Sequence, residues 1–130
     1  MALDEKPFRI TEPETYALPI VLVGNAVPTN VPTKTIGKGV TITRTGVGAY
    51  TLTFSDNPGN FLGFAGASFQ DATLAGVAGL DAFPGTFTAA NGSTPATLTV
   101  GVFLTTTATD LTSAMTCCLT LLFKRAFLTL

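Results

Sequence analysis

Apolar and polar residues alternate one for one through two neighbouring runs of this chain. Val40 and Ile42 alternate with Thr41 and Thr43, and Tyr50, Leu52 and Phe54 alternate with Thr51 and Thr53. Period two is the repeat of a strand with one buried face and one wet face. Between the runs, Thr45-Gly46-Val47-Gly48 holds glycines able to take the positive φ angles of a tight reversal. The pattern predicts a β-hairpin over residues 38–55, with Val40, Ile42, Leu52 and Phe54 turned to a core.

Other runs extend this picture in both directions. Residues 18–23 are a short apolar strand, with Gly24-Asn25 as its turn. Residues 26–36 contain Pro28 and Pro32, which lack an N–H donor, so an extended connector or an edge strand is expected there. Asp56-Asn57-Pro58-Gly59 is a turn sequence. In Asn60–Gln70, large and very small residues mix on both alternating faces. That implies a strand packed on both sides, or one closely approached by another backbone. Residues 73–80 read as a further strand or an irregular loop. Residues 81–95 read as a loop with turn dipeptides at Pro84-Gly85 and Asn91-Gly92. Ala96–Leu104 alternates as a strand, 105–109 is a polar bridge, and Asp110 is placed to cap one helical turn over 111–114. Residues 115–123 are apolar on both faces, as a central strand would be.

Six to eight strands with almost no helix imply an all-β fold. The expectation is a single antiparallel β-sandwich or barrel-like (jelly-roll-like) domain over residues 18–130. Ahead of it, residues 1–17 hold Pro7, Pro13 and four of the eight acidic residues without an apolar period. They read as an extended N-terminal arm, disordered or lying across a neighbouring subunit.

Composition changes the picture in one respect. Charged residues are 12% of the chain and hydrophobic ones 46%, against about 25% charged in ordinary soluble domains. The 24 threonines fit either face of a sheet. A surface with so little charge is either a threonine-covered sheet or one covered by other subunits. Candidate contacts for such neighbours are Pro7, Phe8 and Pro13 in the arm, Phe83 and Phe87 in the predicted loop, and Phe127, Leu128 and Leu130 in the apolar tail.

Candidate chemistry is sparse. There is no histidine, so no Ser-His or Cys-His nucleophile pair can be built. Asp56, Asp71, Asp81 and Asp110 stand apart at turn positions. The expectation is a protein without enzymatic activity, cofactor or metal. Net charge is −1 and the largest basic cluster is Lys124-Arg125, so no nucleic-acid partner is expected. The longest apolar runs, 18–23 and 114–123, fall short of the roughly 20 residues of a membrane-spanning helix, so no membrane partner is expected. Residues 1–14 lack the pattern of a secretory signal. Cys117 and Cys118 are strand neighbours and point to opposite faces, so they do not bridge each other. They read as small buried hydrophobes, with an intermolecular disulfide as the alternative.

Taken in order, Gly37-Lys38-Gly39, the hairpin ITRTGVGAYTLTFSD, a small-residue strand, a Thr/Val strand, Asp110-Leu111 and an apolar strand ending Phe123-Lys124-Arg125 form a longer signature. It resembles small structural proteins of tailed-bacteriophage particles, over residues 36–69 and 97–125. The resemblance implies a virion protein similar to capsid decoration (cement) proteins, which sit outside the shell and brace neighbouring capsomers. Its implied partners are the major capsid protein of the same virion and itself, as a dimer or trimer. Its implied location is the capsid exterior, after assembly in the host bacterial cytoplasm, where reduced cysteines fit. The alternatives are a tail- or fibre-associated β-domain or a carbohydrate-binding module. The last is disfavoured by the lack of Trp and the presence of only two Tyr, Tyr16 and Tyr50.

Overall fold

The computed structural model describes residues 15–25, 27, 31–70, 79–112 and 115–125. Through these run nine strands: β1 (Thr15–Val23), β2 (Thr33–Ile36), β3 (Val40–Gly46), β4 (Ala49–Phe54), β5 (Asn60–Gln70), β6 (Leu80–Thr88), β7 (Ala96–Leu104), β8 (Thr107–Ala108) and β9 (Thr116–Lys124). No helix occurs among the described residues. One sheet has the order β2-β1-β9-β5; the other has the order β3-β4-β7-β6, with β8 paired to β7. Every pairing between these strands is antiparallel. The two sheets pack face to face as an all-β antiparallel sandwich.

Period two decides what lies between the sheets. In β9, Cys117, Leu119, Leu121 and Phe123 are buried while the residues between them are half-buried. Ile20 and Leu22 of β1 join them from the same sheet. From the other sheet come Val40, Tyr50, Leu52, Phe54, Leu98, Val100 and Val102. Ile42 is half-buried and packs against this core. The hairpin pairs Val40 with Phe54 and Ile42 with Leu52, so its predicted inner face is the one that faces the core. Its turn is Val47-Gly48, and only Gly48 uses a left-handed φ, at 64°. Gly46 remains in β3, opposite Ala49 across a bulge. At the other end, β1 begins at Thr15, paired with Lys124. The last three residues of the stretch read as arm therefore belong to the strand.

Three local expectations give way to tertiary context. Asn60–Gln70 is a strand, but it lies at a sheet edge with Ala65, Gly66, Ala67 and Ser68 exposed. A Cβ added at Gly63 or Gly66 meets nothing within 4 Å, so the small residues admit no close neighbour. Bulges between Phe61 and Gly63 and between Phe64 and Gly66 instead correct the register against β9. Each adds one residue and moves the following side chains to the other face. Phe61 and Phe64 consequently both pack on the core beside buried Phe69, whereas strict alternation would have turned Phe64 away from the other two.

Pro84-Gly85 is not a turn. It lies inside β6, an edge strand, where a missing N–H costs no ladder bond on the open side. The strand bulges between Pro84 and Phe87, and Thr86 N–H donates to the Thr99 hydroxyl at 2.7 Å. Asn91-Gly92 does make a turn: Asn91 and Thr94 exchange two backbone hydrogen bonds, of 3.0 and 2.9 Å. Among the described residues of 111–114, Leu111 and Thr112, Asp110 caps no helical turn; its carboxylate points back at the β3–β4 hairpin. Of the stretch 73–80, only Gly79 and Leu80 fall among the described residues.

Candidate functional site

Three connections end at one pole of the sandwich: the β2–β3 link at Gly37–Gly39, the β4–β5 link at Ser55–Gly59, and the β6–β7 tip around Asn91–Thr94. The start of β1 and the end of β9 complete it. Hydrogen bonds tie these pieces together. Ser55 N–H donates to Gly39 C=O at 2.8 Å, and the Tyr16 hydroxyl donates to Pro58 C=O at 2.6 Å. Gly59 holds φ 95° against the end of β9, where a Cβ would stand 2.5 Å from the Lys124 carbonyl oxygen. Asn57 Oδ1 accepts from Gly59 N–H at 3.0 Å, closing the loop on itself. Three depressions of about 500, 200 and 250 Å³ open on this pole and share Phe54 and Ser55 in their walls.

The pole is basic. Lys34, Lys38 and Arg125 line these depressions, and Lys124 ends the strand beside them. Asp56 is the one carboxylate among the described residues there. The Lys34 ammonium is seated by the carbonyl oxygens of Gly37 and Val40, at 2.7 and 2.5 Å. The Arg125 guanidinium lies 4.9 Å from the centre of the Tyr16 ring, a cation–π arrangement.

No protein-family model, curated protein or solved structure matches this chain. Its surfaces must speak through their chemistry alone.

The broad outer faces contrast with the pole. On the second sheet, cross-strand register puts Thr43, Thr51 and Thr99 in one row and Thr41, Thr53, Thr97 and Thr88 in the next. On the first sheet, Pro19, Thr120 and Gly66 share a row, as do Val21, Cys118 and Ser68. Among the described residues, the only charges on these two faces stand at their margins, Lys124 on one and Asp81 on the other.

The sequence-selected contact residues separate on this frame. Phe83 is 52% exposed on the second sheet's outer face, its ring 6.0 Å from Phe103, beside a shallow depression floored by Ala49 and Gly101. Phe87 folds back instead: its ring lies 5.9 Å from Phe61 and 6.0 Å from Phe123, so it belongs to the core and offers no exposed anchor. Pro7, Phe8, Pro13, Phe127, Leu128 and Leu130 lie outside the described residues. The basic pole was not selected from sequence, although Lys38 between two glycines and the pair Lys124-Arg125 were visible as isolated features.

The opposite pole is locked by charge. Arg44 Nε and Nη2 donate to the two carboxylate oxygens of Asp110 at 3.0 and 2.9 Å, a bidentate pair. Gly48 N–H and the Tyr50 hydroxyl also donate to Asp110, at 2.8 and 3.3 Å, and Leu111 N–H donates to the Tyr50 oxygen at 3.0 Å. The Arg44 hydrogen bond, assisted by Gly48 N–H and against some desolvation, holds the Asp110 carboxyl below its ordinary pKa. Burial pushes the Tyr50 phenol up.

A carboxyl whose pKa is lower folded than unfolded adds stability above the unfolded value, near 4, and that contribution is lost as pH falls through the folded value. Asp110→Asn is therefore expected to lower stability at pH 7 by about 1–2 kcal/mol. Its difference from the wild type should narrow in urea unfolding at pH 3. A difference that stays constant between pH 7 and pH 3 would contradict this role.

Both cysteines are free. Burial, with a smaller contribution from Cys118, pushes the Cys117 thiol up to about 12 and keeps it protonated at neutral pH. Cys118 is half-buried on the opposite face, as strand alternation requires.

Proposed function

We propose that this chain is a structural protein of a bacteriophage particle, of the capsid decoration type. It binds the outside of the capsid and stabilises the shell by bracing neighbouring capsomers. What supports the reading is the pair of broad faces tiled with threonine and small apolar residues, with charge, among the described residues, only at their margins. Free surfaces of soluble domains carry interspersed charge for solubility, whereas the centres of subunit contacts are depleted of it. The hairpin signature, whose strands build the threonine face, points the same way. The partners are the major capsid protein and further copies of this chain, as a dimer or trimer.

The work of such a protein is association rather than catalysis. A subunit that binds only the assembled shell stabilises it by mass action, increasingly as its concentration exceeds Kd. Exposed Phe83, paired with Phe103 on one face, supplies an aromatic contact of the kind that dominates interface energetics.

Quantitative mass spectrometry of purified particles, joined to a low-resolution map, tests the reading. Copy number near that of the major capsid protein, with density at capsomer junctions, is expected. A few copies at one vertex would move the chain to the tail or fibre apparatus. Absence from particles would remove the virion role.

A further inference from the structure

We infer that the basic pole is a receptor for the acidic N-terminal segment, residues 1–14, of a second copy of this chain. The inference rests on the reading of the chain as a subunit of an assembly.

Four of the five cations among the described residues, Lys34, Lys38, Lys124 and Arg125, gather at this pole against the single carboxylate of Asp56. The fifth, Arg44, pairs with Asp110 far from it, and of the four at the pole Lys38 and Lys124 are the two on which the inference stands. Residues 1–14 carry the complementary excess: Asp4, Glu5, Glu12 and Glu14 against Lys6 and Arg9. The pole also has the relief of a binding surface. Its depressions have Val40, Phe54, Pro58 and Pro95 in their walls, of which Pro95 is exposed and offers apolar ground for Phe8 or Pro7 within a basic rim.

Position and reach allow the occupant to be a second copy, and charge favours it. Thr15 enters β1 opposite Lys124, at this same pole, so the segment starts where its receptor lies. A sheet of four strands is only about 19 Å across. The Asp4-Glu5 pair, eleven and ten residues upstream of Thr15, has a reach of about 35 Å, well past its own pole. Two such poles facing each other would repel. Exchange of their acidic segments removes that repulsion and makes a self-complementary contact, in which each copy gives a segment and receives one.

The test uses full-length chain, an equal mixture of ¹⁴N and ¹⁵N protein, and a carbodiimide that joins touching amines and carboxylates. Cross-links from Lys38 or Lys124 to Asp4 or Glu5 are expected, about half of those between copies carrying one label of each kind. Lys38→Glu with Lys124→Glu should cut mixed-label links from Asp4 and Glu5 to Lys34, an amine of the same pole that both proteins keep, at least fivefold while the circular dichroism spectrum stays that of the wild type. Adding Asp4→Lys and Glu5→Lys should bring back mixed-label links between positions 4 or 5 and positions 38 or 124, because amine and carboxylate have then exchanged sides. Cross-links carrying only matched labels would overturn the inference by placing the segment on its own pole. So would the absence of links from Asp4 and Glu5 to either lysine. Mixed-label links in a chain absent from virus particles would leave this contact standing and remove only the virion role.

Discussion

Phe123→Ala is expected to destabilise the domain by about 3–5 kcal/mol, the range for a large aromatic removed from a closed core. Phe123 is fully buried, and its ring centre lies between 5.4 and 6.0 Å from those of Tyr16, Phe54, Phe61 and Phe87. These four neighbours come from β1, β4, β5 and β6, so one side chain joins strands of both sheets. Stacked and edge-on pairs add to the area buried, by roughly 0.5–1.5 kcal/mol per pair. Phe54 meets one ring of this cluster and Phe123 meets four, so Phe54→Ala should sit at the lower end of the same range. The cluster lies directly beneath the basic pole, where Tyr16 and Phe54 also wall the depressions. Collapse of the Phe123 cavity would therefore shift those walls as well. Urea unfolding at neutral pH measures the loss through a shift of midpoint at constant slope. A loss below about 1 kcal/mol would mean that the cluster repacks without cost and does not join the sheets.

The parts of this fold that could be read from sequence are those whose cause is local. Alternation in residues 40–43 and 50–54, with a glycine able to hold φ 64° between them, is enough to specify a hairpin and its inner face. Where the cause is distant, the reading stopped. The two bulges of β5 exist because Phe61, Phe64 and Phe69 must all meet β9, a strand roughly fifty residues later. Pro84-Gly85 has the composition of a turn, and only its place on a sheet edge lets it be a strand. Asp110 has the position of a helix cap, but its strongest partner, Arg44, is 66 residues away.

The same division holds for the candidate surfaces. Abundant threonine on alternate positions was legible as wet faces, but the uncharged rows appear only once cross-strand register is known. Lys34 and Lys38 are separated from Lys124 and Arg125 by most of the domain, so a chain of net charge −1 conceals a basic pole. Antiparallel pairing of β1 with β9, and the β2–β3 crossing between sheets, bring the four together.

Gly48→Ala should be nearly as costly as loss of Phe123, at about 2–5 kcal/mol. Two separate effects combine. At φ 64° an L-residue gives up roughly 1–2 kcal/mol relative to glycine. The added methyl would also stand 2.5 Å from the Val102 carbonyl oxygen, 2.6 Å from Thr109 N and 2.9 Å from the Thr109 oxygen, all backbone atoms. Backbone cannot swing aside as a flexible side chain can, and overpacking of this kind costs about 1–3 kcal/mol. The displaced atoms belong to the far-pole lock: Val102 N–H donates to Gly48 C=O at 2.7 Å, while Gly48 N–H donates to Asp110. Moving this turn therefore loosens the Asp110 pair with Arg44 as well. Gly92, at the other hairpin tip, supplies the control. Its φ of 60° is almost the same, yet a Cβ there meets nothing within 4 Å. Gly92→Ala should cost only the conformational part, about 1–2 kcal/mol. The two variants, compared by urea unfolding, separate backbone conformation from backbone collision. Gly48→Ala should fall by at least about 1 kcal/mol more, and it should lose part of the acid sensitivity assigned to Asp110. Equal losses at the two glycines would show that the turn moves freely, and that its backbone contacts with Val102 and Thr109 do not fix it.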